Sequence, residues 1–311
     1  MALTLAQGNM YSTTELSRVV TDILTKDSEI LQRLQFEELL GNSLTYDLVA
    51  TRSGAAFYAV NDTWVESTVV LSQDTVTLKI LGGDADIDEF LLRTRSNKMD
   101  LKGTVLEDKS LAVQEKFMDT FYYGNVTTNS KEFNGLHKLI NSTVYNTVHA
   151  GAGTGSDLSL MKVRQACDLV TGFKPACIVM SKAMRRGISV YLDTIGEKFG
   201  TTGRDEVGRH WETYNNLPII VDDHITNTEL ASGGAWCTGT GSDTSIFILT
   251  FAPKAICGVQ GSNRVEVEPL GKLETKDATR YRIKWYCGLK FENLRSCAKV
   301  DGITAAGTVV A

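Results

Sequence analysis

The chain opens with hydrophobic residues at helical spacing. Ser12 and Glu15 form a capping box, which is the sequence signature of a helix start. The apolar residues that follow at intervals of three and four are Leu16, Val19, Val20, Ile23 and Leu24. A second helix is predicted at residues 29–40, where Gly41 and Asn42 supply a C-cap. The first 42 residues are therefore expected to be helical and amphipathic.

Residues 43–93 have the pattern of a long two-stranded ribbon that runs into a helix. Strand chemistry is found at residues 57–60 and 75–80, and Asn61 with Asp62 supplies turn residues between them. Two arms of about 15 residues, at roughly 3.3 Å per residue, reach about 50 Å, which exceeds the radius of a domain of this size. An isolated hairpin is also marginal in water. We therefore predict that the ribbon lies on another copy of the chain, and that assembly is the function.

The chain changes character at a glycine-rich link, residues 151–155, where we place a domain boundary. Ser156 or Asp157 is expected to cap the next helix. Its inward residues are Leu160, Val163, Cys167 and Val170. Buried strands are predicted at residues 176–180, 217–221 and 246–251, and Ser181 is expected to cap a helix after the first of them. Strands alternating with helices indicate an α/β unit.

Two long elements flank this α/β unit. The longest predicted helix covers residues 100–121, and its apolar stripe is typical of a spine on which strands pack. The stripe consists of Leu106, Val113, Phe117 and Phe121. Near the C-terminus, residues 281–291 alternate between apolar and polar side chains, so one face of this strand should meet a core and the other should face water or a partner.

Composition limits the class of protein. With 311 residues, of which 42% are hydrophobic and 22% charged, the chain can bury a large core in about two domains. No basic segment followed by an apolar stretch opens the sequence, and no apolar run approaches the roughly 18 residues of a membrane helix, so we expect cytoplasmic synthesis and no membrane partner. A net charge of −5 without a basic block argues against tight or sequence-specific nucleic-acid binding. Such a chain can still enclose nucleic acid without binding it tightly.

The cysteines are predicted to be reduced and buried. They are Cys167, Cys177, Cys237, Cys257, Cys287 and Cys297. No two of them form a C-x-x-C pair, so small buried thiols in a reducing compartment are a better interpretation than a disulfide frame or a zinc site.

The candidate catalytic and ligand-binding motifs in the sequence are incomplete. The glycines at 151–155 lack the hydrophobic strand that precedes a phosphate loop. The segment 84–95 begins like a calcium loop, but Glu89 replaces the required glycine and Arg95 the required glutamate. The four histidines, His137, His149, His210 and His224, lie far apart. Asp222-Asp223-His224 is the one cluster that leaves a metal or acid–base site open as an alternative. We predict no catalytic residue, no cofactor and no metal.

The order of these elements resembles the major capsid proteins of tailed bacteriophages, whose Hong Kong 97 type of fold is shared by encapsulins. The stretches similar to the end of that family's extended loop and the start of its peripheral domain are Trp64-Val-Glu66, Val76-Thr-Leu-Lys79 and Asp86-Ile-Asp-Glu-Phe-Leu-Leu92. Those similar to the passage after its spine helix are Phe121-Tyr-Tyr-Gly-Asn125 and Phe133-Asn-Gly-Leu136. Those similar to strands of its axial domain are Ala176-Cys-Ile-Val-Met-Ser181 and Leu217-Pro-Ile-Ile-Val-Asp222. The likeness covers roughly residues 10–300 and depends on the order and spacing of short motifs.

The resemblance implies an α+β capsid fold in five parts. They are an N-terminal arm (1–42), an extended β-hairpin loop (43–83), a peripheral domain with the spine helix (84–150), an axial domain (151–252), and return strands of the peripheral domain with the C-terminus (253–311). The residues expected at inter-subunit contacts of the loop are Phe57, Tyr58, Asn61, Asp62, Trp64 and Glu66. Those expected at inter-subunit contacts of the arm are Leu16, Val19, Val20 and Ile23.

The function implied is that of a structural major capsid protein. Such a protein would self-assemble through hexamers and pentamers into an icosahedral virion head that packages double-stranded DNA, and it would assemble in the host cytoplasm. The partners expected are other copies of the chain, a separate scaffolding protein, a portal and a decoration protein. An encapsulin-type nanocompartment with an enzyme cargo is the alternative within the fold, and a soluble hydrolase or nucleotide-binding enzyme is the alternative outside it.

The chain departs from the family's founding member in two respects. The arm begins almost at Met1, so a scaffold is expected to be a separate protein. Residues 27–78 contain no lysine, so the extended loop lacks the amine for the lysine–asparagine bond that some relatives form. We therefore expect a shell that is not covalently linked.

Overall fold

The computed structural model describes residues 3–4, 20, 28–51, 53–95, 101–141, 146–151, 155–195, 203–204, 210–230, 241–293 and 295–310. The helices in these ranges are α1 (Glu29–Arg33), α2 (Glu89–Arg95), α3 (Leu101–Tyr123), α4 (Leu136–Asn141), α5 (Leu160–Leu169) and α6 (Lys182–Ile195). The strands up to the middle of the chain are β1 (Leu3–Thr4), β2 (Gln35–Leu39), β3 (Ser43–Thr51), β4 (Val70–Thr77), β5 (Lys79–Asp88), β6 (Thr147–His149), β7 (Leu158–Ser159) and β8 (Cys177–Met180). The later strands are β9 (Gly203–Arg204), β10 (His210–Trp211), β11 (Thr213–Tyr214), β12 (Leu217–Val221), β13 (Asp243–Leu249), β14 (Ile256–Lys272), β15 (Ala278–Phe291), β16 (Ala298–Thr304) and β17 (Val309–Val310).

Among the described residues, the first sheet has the strand order β1-β2-β14-β15-β5. β14 and β15 form a long antiparallel hairpin, β5 pairs antiparallel with β15, and β2 runs parallel to β14. The predicted alternation in residues 281–291 is confirmed at its centre, where Ile283, Trp285 and Cys287 are buried while Lys284 and Tyr286 between them are partly exposed. It is wrong at the end of the strand, because Gly288 and Lys290, which were expected on the polar face, are buried as well. Trp285 lies 4.6 Å from the ring of Phe117 on α3, so the predicted spine helix packs on this sheet. The whole predicted stripe of α3 is buried.

The predicted helix at residues 29–40 is wrong in its second half. α1 ends at Arg33, and the chain continues as β2. The ring of Phe36 lies 6.4 Å from that of Phe117 and 5.7 Å from that of Trp285. A Cβ at Gly258 would lie 2.5 Å from the Phe36 ring, so β14 accepts this side chain only because it carries a glycine there. Pairing with β14 and burial of Phe36 outweigh the helical propensity of the segment.

In the part of the chain that the structure covers, the second sheet has the order β11-β12-β8-β13-β16-β6. The predicted strand 217–221 is confirmed, and those at 176–180 and 246–251 are found within one to three residues of their predicted bounds. Ser181 caps α6 as predicted, since its Oγ accepts a bond from the Met184 amide. The preceding helix α5 is capped by Ser159, not by Ser156 or Asp157, because Ser156 and Leu158 take part in bridges to Ile303 and Val309.

Two strands pair outside the parts in which we expected them. β6, from the part 84–150, and β16, from the part 253–311, both lie in the second sheet, where β16 pairs with β13 and β6 pairs with β16. The five-part division itself stays a prediction. No helix among the described residues is both long and apolar enough to cross a membrane.

Candidate inter-subunit surface

The predicted ribbon is formed by β3 and β4, which pair antiparallel with Ser43 opposite Thr77 and Val49 opposite Leu71. The predicted strand at 57–60 is wrong, because residues 53–59 have no ladder partner, and the predicted strand at 75–80 is divided between β4 and β5 at Leu78. The chain reverses at the predicted turn. The Asp62 amide donates to the Ala59 carbonyl over 3.2 Å, and Asn61 has the left-handed φ of 75° that such a turn needs.

The distal part of the ribbon is held by its own side chains. Tyr58 and Trp64 stack with their ring centroids 4.3 Å apart and their planes at 24°. The Val65 amide donates to the Tyr58 hydroxyl over 3.3 Å, and the Ala59 amide donates to Asp62 Oδ2 over 2.6 Å. The tip therefore has a defined shape without regular strand pairing.

The surface of this tip is apolar and uncovered by its own chain. Phe57 is fully exposed, Val60 is 92% exposed, and Trp64 and Val65 are 77% and 76% exposed. Asn61, Asp62 and Glu66 are exposed beside them. Monomeric proteins rarely leave such a group of large apolar side chains in water, and exposed patches of this kind mark interaction sites. The structure thus brings the six predicted loop residues into one distal segment, and whether they touch another subunit stays a prediction.

The residues predicted to form inter-subunit contacts of the arm are not exposed in the way that the loop residues are, as far as they are described. Leu16, Val19 and Ile23 lie outside the described residues. Val20 is described, and it is 2% exposed within the chain's own core, together with Ile30 and Leu31. Burial of Val20 therefore needs no neighbouring subunit.

The polar face of β15 carries a ladder of ion pairs. Arg280 binds Asp86 over 2.6 and 2.7 Å, Arg282 binds Asp84 over 2.5 and 2.7 Å, and Lys284 pairs with Glu268. The hydrogen bonds from Arg282 and Arg280 hold the pKa values of Asp84 and Asp86 below the usual carboxyl range. The aspartates that resemble a calcium loop therefore serve as partners of arginines.

The Asp222-Asp223-His224 cluster does not converge on a common point. Asp222 accepts a bond from Tyr122 over 2.9 Å, Asp223 pairs with Lys182 over 2.5 Å, and His224 lies 2.8 Å from Asp119. In the described part of the chain, no group of three or more histidine, cysteine, aspartate or glutamate side chains is arranged to hold a metal ion.

A buried polar network joins the spine helix to the second sheet, and sequence reasoning missed it. The carboxylate of Glu229 accepts bonds from Tyr123 over 2.6 Å and Ser245 over 2.5 Å, and it lies 3.2 Å from Nε2 of His137. Burial by itself raises the pKa of Glu229, but the bonds from His137, Ser245 and Tyr123 outweigh it and hold this pKa below the usual value. The four residues lie too far apart in sequence for any spacing to reveal them.

Solved structures are similar to this chain over most of its length. The SrpI encapsulin of Synechococcus elongatus PCC 7942 is 14% identical, with a TM-score of 0.67 over 99% of this chain and 98% of its own. A chain of Microbacterium phage Oxtober96 is 12% identical, with a TM-score of 0.64 over 89% of this chain and 90% of its own. The capsid of a native GTA particle is 11% identical, with a TM-score of 0.62 over 88% and 90%. No protein-family model matches the sequence, and no curated protein is significantly similar to it.

These likenesses agree with the arrangement of the elements along the chain. The extended ribbon, the spine helix on the first sheet, and the second sheet with its covering helices follow one another as the sequence motifs predict. The chain has the α+β Hong Kong 97-type capsid fold.

Proposed function

We propose that the chain is a subunit of a closed protein shell. The observation that carries this proposal is the distal ribbon, whose tip is shaped by the Tyr58–Trp64 stack while its apolar side chains stay in water. A segment ordered by its own contacts and apolar on its surface is prepared to bind a partner with little loss of entropy. In a shell of identical subunits, that partner is a neighbouring copy, and modest contacts repeated around a closed symmetric assembly add up to a stable particle.

Within this proposal, the first candidate is a bacteriophage head that encloses double-stranded DNA. Hexamers and pentamers would form through the axial part, and a scaffolding protein, a portal and a decoration protein would be separate partners. The net charge of −5 supports such a role, because an acidic wall does not adhere to the phosphate backbone it encloses.

The second candidate is an encapsulin-type nanocompartment. The observation in its favour is the alignment with the SrpI encapsulin, which spans 99% of this chain and 98% of the other. The two candidates differ in their contents. Particles from the native source that protect double-stranded DNA of uniform length from nuclease would support the head, and particles that carry a stoichiometric protein cargo would support the compartment.

The shell itself is tested by expressing the chain and examining it by gradient sedimentation and negative-stain electron microscopy. Closed particles are expected. Trp64→Ala should leave soluble subunits with normal circular dichroism but prevent shell formation, since truncating an interface aromatic costs about 2–4 kcal/mol at each copy. Trp64→Phe keeps a ring for the stack and should restore part of the yield. Intact shells of Trp64→Ala at wild-type yield would show that the tip is not an inter-subunit contact.

A further inference from the structure

The ribbon separates from the rest of the subunit, which we call the body, at Tyr46. This residue is 9% exposed, whereas β4 on the other side of the ribbon is exposed along its length except at Val76. Val76 contacts the body where β15 carries Gly288, since a Cβ at that glycine would lie 3.2 Å from Val76 Cγ1. The ribbon therefore rests on the end of β15, and Tyr46 is the buried residue of β3 among those whose side chains are described.

The hydroxyl group of Tyr46 joins the two strands of the ribbon to the body. It donates to Asp74 Oδ2 across the ribbon over 3.0 Å, and it also makes a hydrogen bond with the backbone of Phe291. Burial, and then the nearby Asp74 carboxylate, raise the pKa of Tyr46 above its usual range, so the phenol stays protonated and remains a donor. The second oxygen of Asp74 accepts the Thr75 amide over 2.8 Å, which fixes the carboxylate in place.

A buried lysine completes this junction from the side of the body. The side chain of Lys290 is 8% exposed, and its Nζ lies 2.9 Å from Glu37 Oε2 and 3.1 Å from Glu292 Oε2. The same ammonium group lies 5.9 Å from the centroid of the Tyr46 ring, within the range of a cation–π contact. We call Tyr46, Asp74, Lys290, Glu37 and Glu292 the base cluster. It ties together β2, β3, β4 and the end of β15.

The polar pairs next to the base cluster are more exposed than the cluster, and their hydrogen bonds lie within the ribbon. Thr45 and Thr75 lie 3.2 Å apart, and Gln73 donates to Asp47 over 2.9 Å, but both pairs are exposed and join β3 only to β4. They can hold the two strands together without restricting how the ribbon is oriented on the body. The bond between Tyr46 and Asp74 likewise joins β3 to β4. Tyr46 also reaches the first sheet, through the backbone of Phe291 and through Lys290, whose ammonium group faces its ring. The base cluster therefore restricts the orientation of the ribbon on the body.

We propose that the base cluster sets the angle at which the ribbon leaves its subunit, and that this angle determines the curvature of the shell. The proposal rests on the proposed function as a shell subunit. From Tyr46 to the turn at Asn61 the ribbon can extend by up to about 50 Å, so a rotation of about 10° at its base moves the tip by up to about 9 Å. A displacement of that size changes which surface of a neighbour the tip can reach, and repeated at every copy it changes the diameter at which the particle closes.

The variants for the test are Tyr46→Phe, which keeps the ring and removes the hydroxyl group, and Asp74→Asn, which keeps the shape and removes the charge. The matched control is the double variant Thr45→Val with Thr75→Val, on the same two strands beside the cluster. The first readout is the distance distribution between spin labels carried by non-natural amino acids at Val60 and Glu107 in dispersed subunits, and the second is the distribution of particle diameters in electron micrographs.

Both cluster variants should broaden the distribution of distances between the two labels, by up to about 9 Å for each 10° of added freedom. Their particles should vary in diameter, while the control matches the wild type in both readouts. An unchanged distance distribution in Tyr46→Phe and Asp74→Asn would overturn the role of the cluster in setting the angle. A broadened distribution with wild-type diameters would overturn the link to curvature. If the wild type itself forms no shells, the proposed function fails, and the distance measurement still decides the role of the cluster.

Discussion

Replacing Glu229 by alanine should strongly destabilise the chain. Its carboxylate takes bonds from Tyr123 on α3 and Ser245 on β13, and it lies beside His137 on α4. Removing it leaves these groups in a buried site without their acceptor. Each unsatisfied buried group lowers the free energy of unfolding by about 1–3 kcal/mol, and removing one partner from a buried charged network lowers it by about 3–5 kcal/mol. We therefore expect Glu229→Ala to lose about 3–5 kcal/mol of unfolding free energy.

Glu229→Gln should be milder, for a geometrical reason. Oε1 is the atom that accepts from Tyr123 and faces His137, so a glutamine can keep those contacts with its carbonyl oxygen. Its amide nitrogen would then face Ser245, whose hydroxyl can rotate and become an acceptor. Only the added strength of bonds to a charged acceptor is lost, which is worth about 1–2 kcal/mol.

The assay is urea unfolding of dispersed subunits followed by circular dichroism, with Glu107→Ala, an exposed glutamate on the spine helix, as the control. The difference between wild type and Glu229→Gln should also depend on pH. The folded pKa of Glu229 is lowered, so its stabilisation is present above the ordinary carboxyl pKa of about 4.3 and is lost as the pH falls through the lower folded value. A loss below about 1 kcal/mol for Glu229→Ala, or a Gln variant less stable than the Ala variant, would refute this account of the network.

Three further outcomes are expected. Because residues 27–78 contain no lysine, shells boiled in denaturant and reductant should release one species of 34.1 kDa, and a ladder of linked subunits would contradict this. Burial raises the pKa of the Cys167 thiol to about 11, so a thiol reagent at pH 8 should label it at least about 100-fold more slowly than a free cysteine; labelling at the free rate would show an open site. Gly187→Ala should lose about 1–3 kcal/mol in thermal melting, since a Cβ there would lie 2.1 Å from the Gly307 carbonyl oxygen. The exposed helical Gly103→Ala should instead gain up to about 1 kcal/mol, and equal effects of the two changes would contradict the packing argument.

Elements whose pattern is long or fully apolar could be predicted from the sequence. The spine helix repeats its stripe from Leu106 to Phe121, over about four turns. The strands Cys177–Met180 and Leu217–Val221 are continuous apolar runs. β2 could not be predicted, because its residues are good helix formers and its strand state depends on β14, more than 200 positions later in the chain. Pairing with β14 outweighs the helix propensity of these residues.

The ribbon was predictable in outline and less so in detail. Asn61 and Asp62 mark the reversal through their turn chemistry alone. The stack of Tyr58 on Trp64 has no periodic signal, since the two rings meet across a loop and not across a ladder. The contact of Tyr46 with Lys290 joins residues on distant strands, so only the fold reveals it.

The pairing of β2 with β14 also sets when the subunit can fold during its synthesis. β2 ends at Leu39 and β14 begins at Ile256. At about 5–20 residues per second, the ribosome delivers β14 roughly 10–40 s after β2. In the second sheet, β13 likewise waits for β16, which ends at Thr304. A nascent chain that ends before Phe291 thus has neither sheet complete and lacks the end of β15 on which its ribbon rests. Under the proposed function, the order of translation would therefore keep such unfinished chains out of the shell.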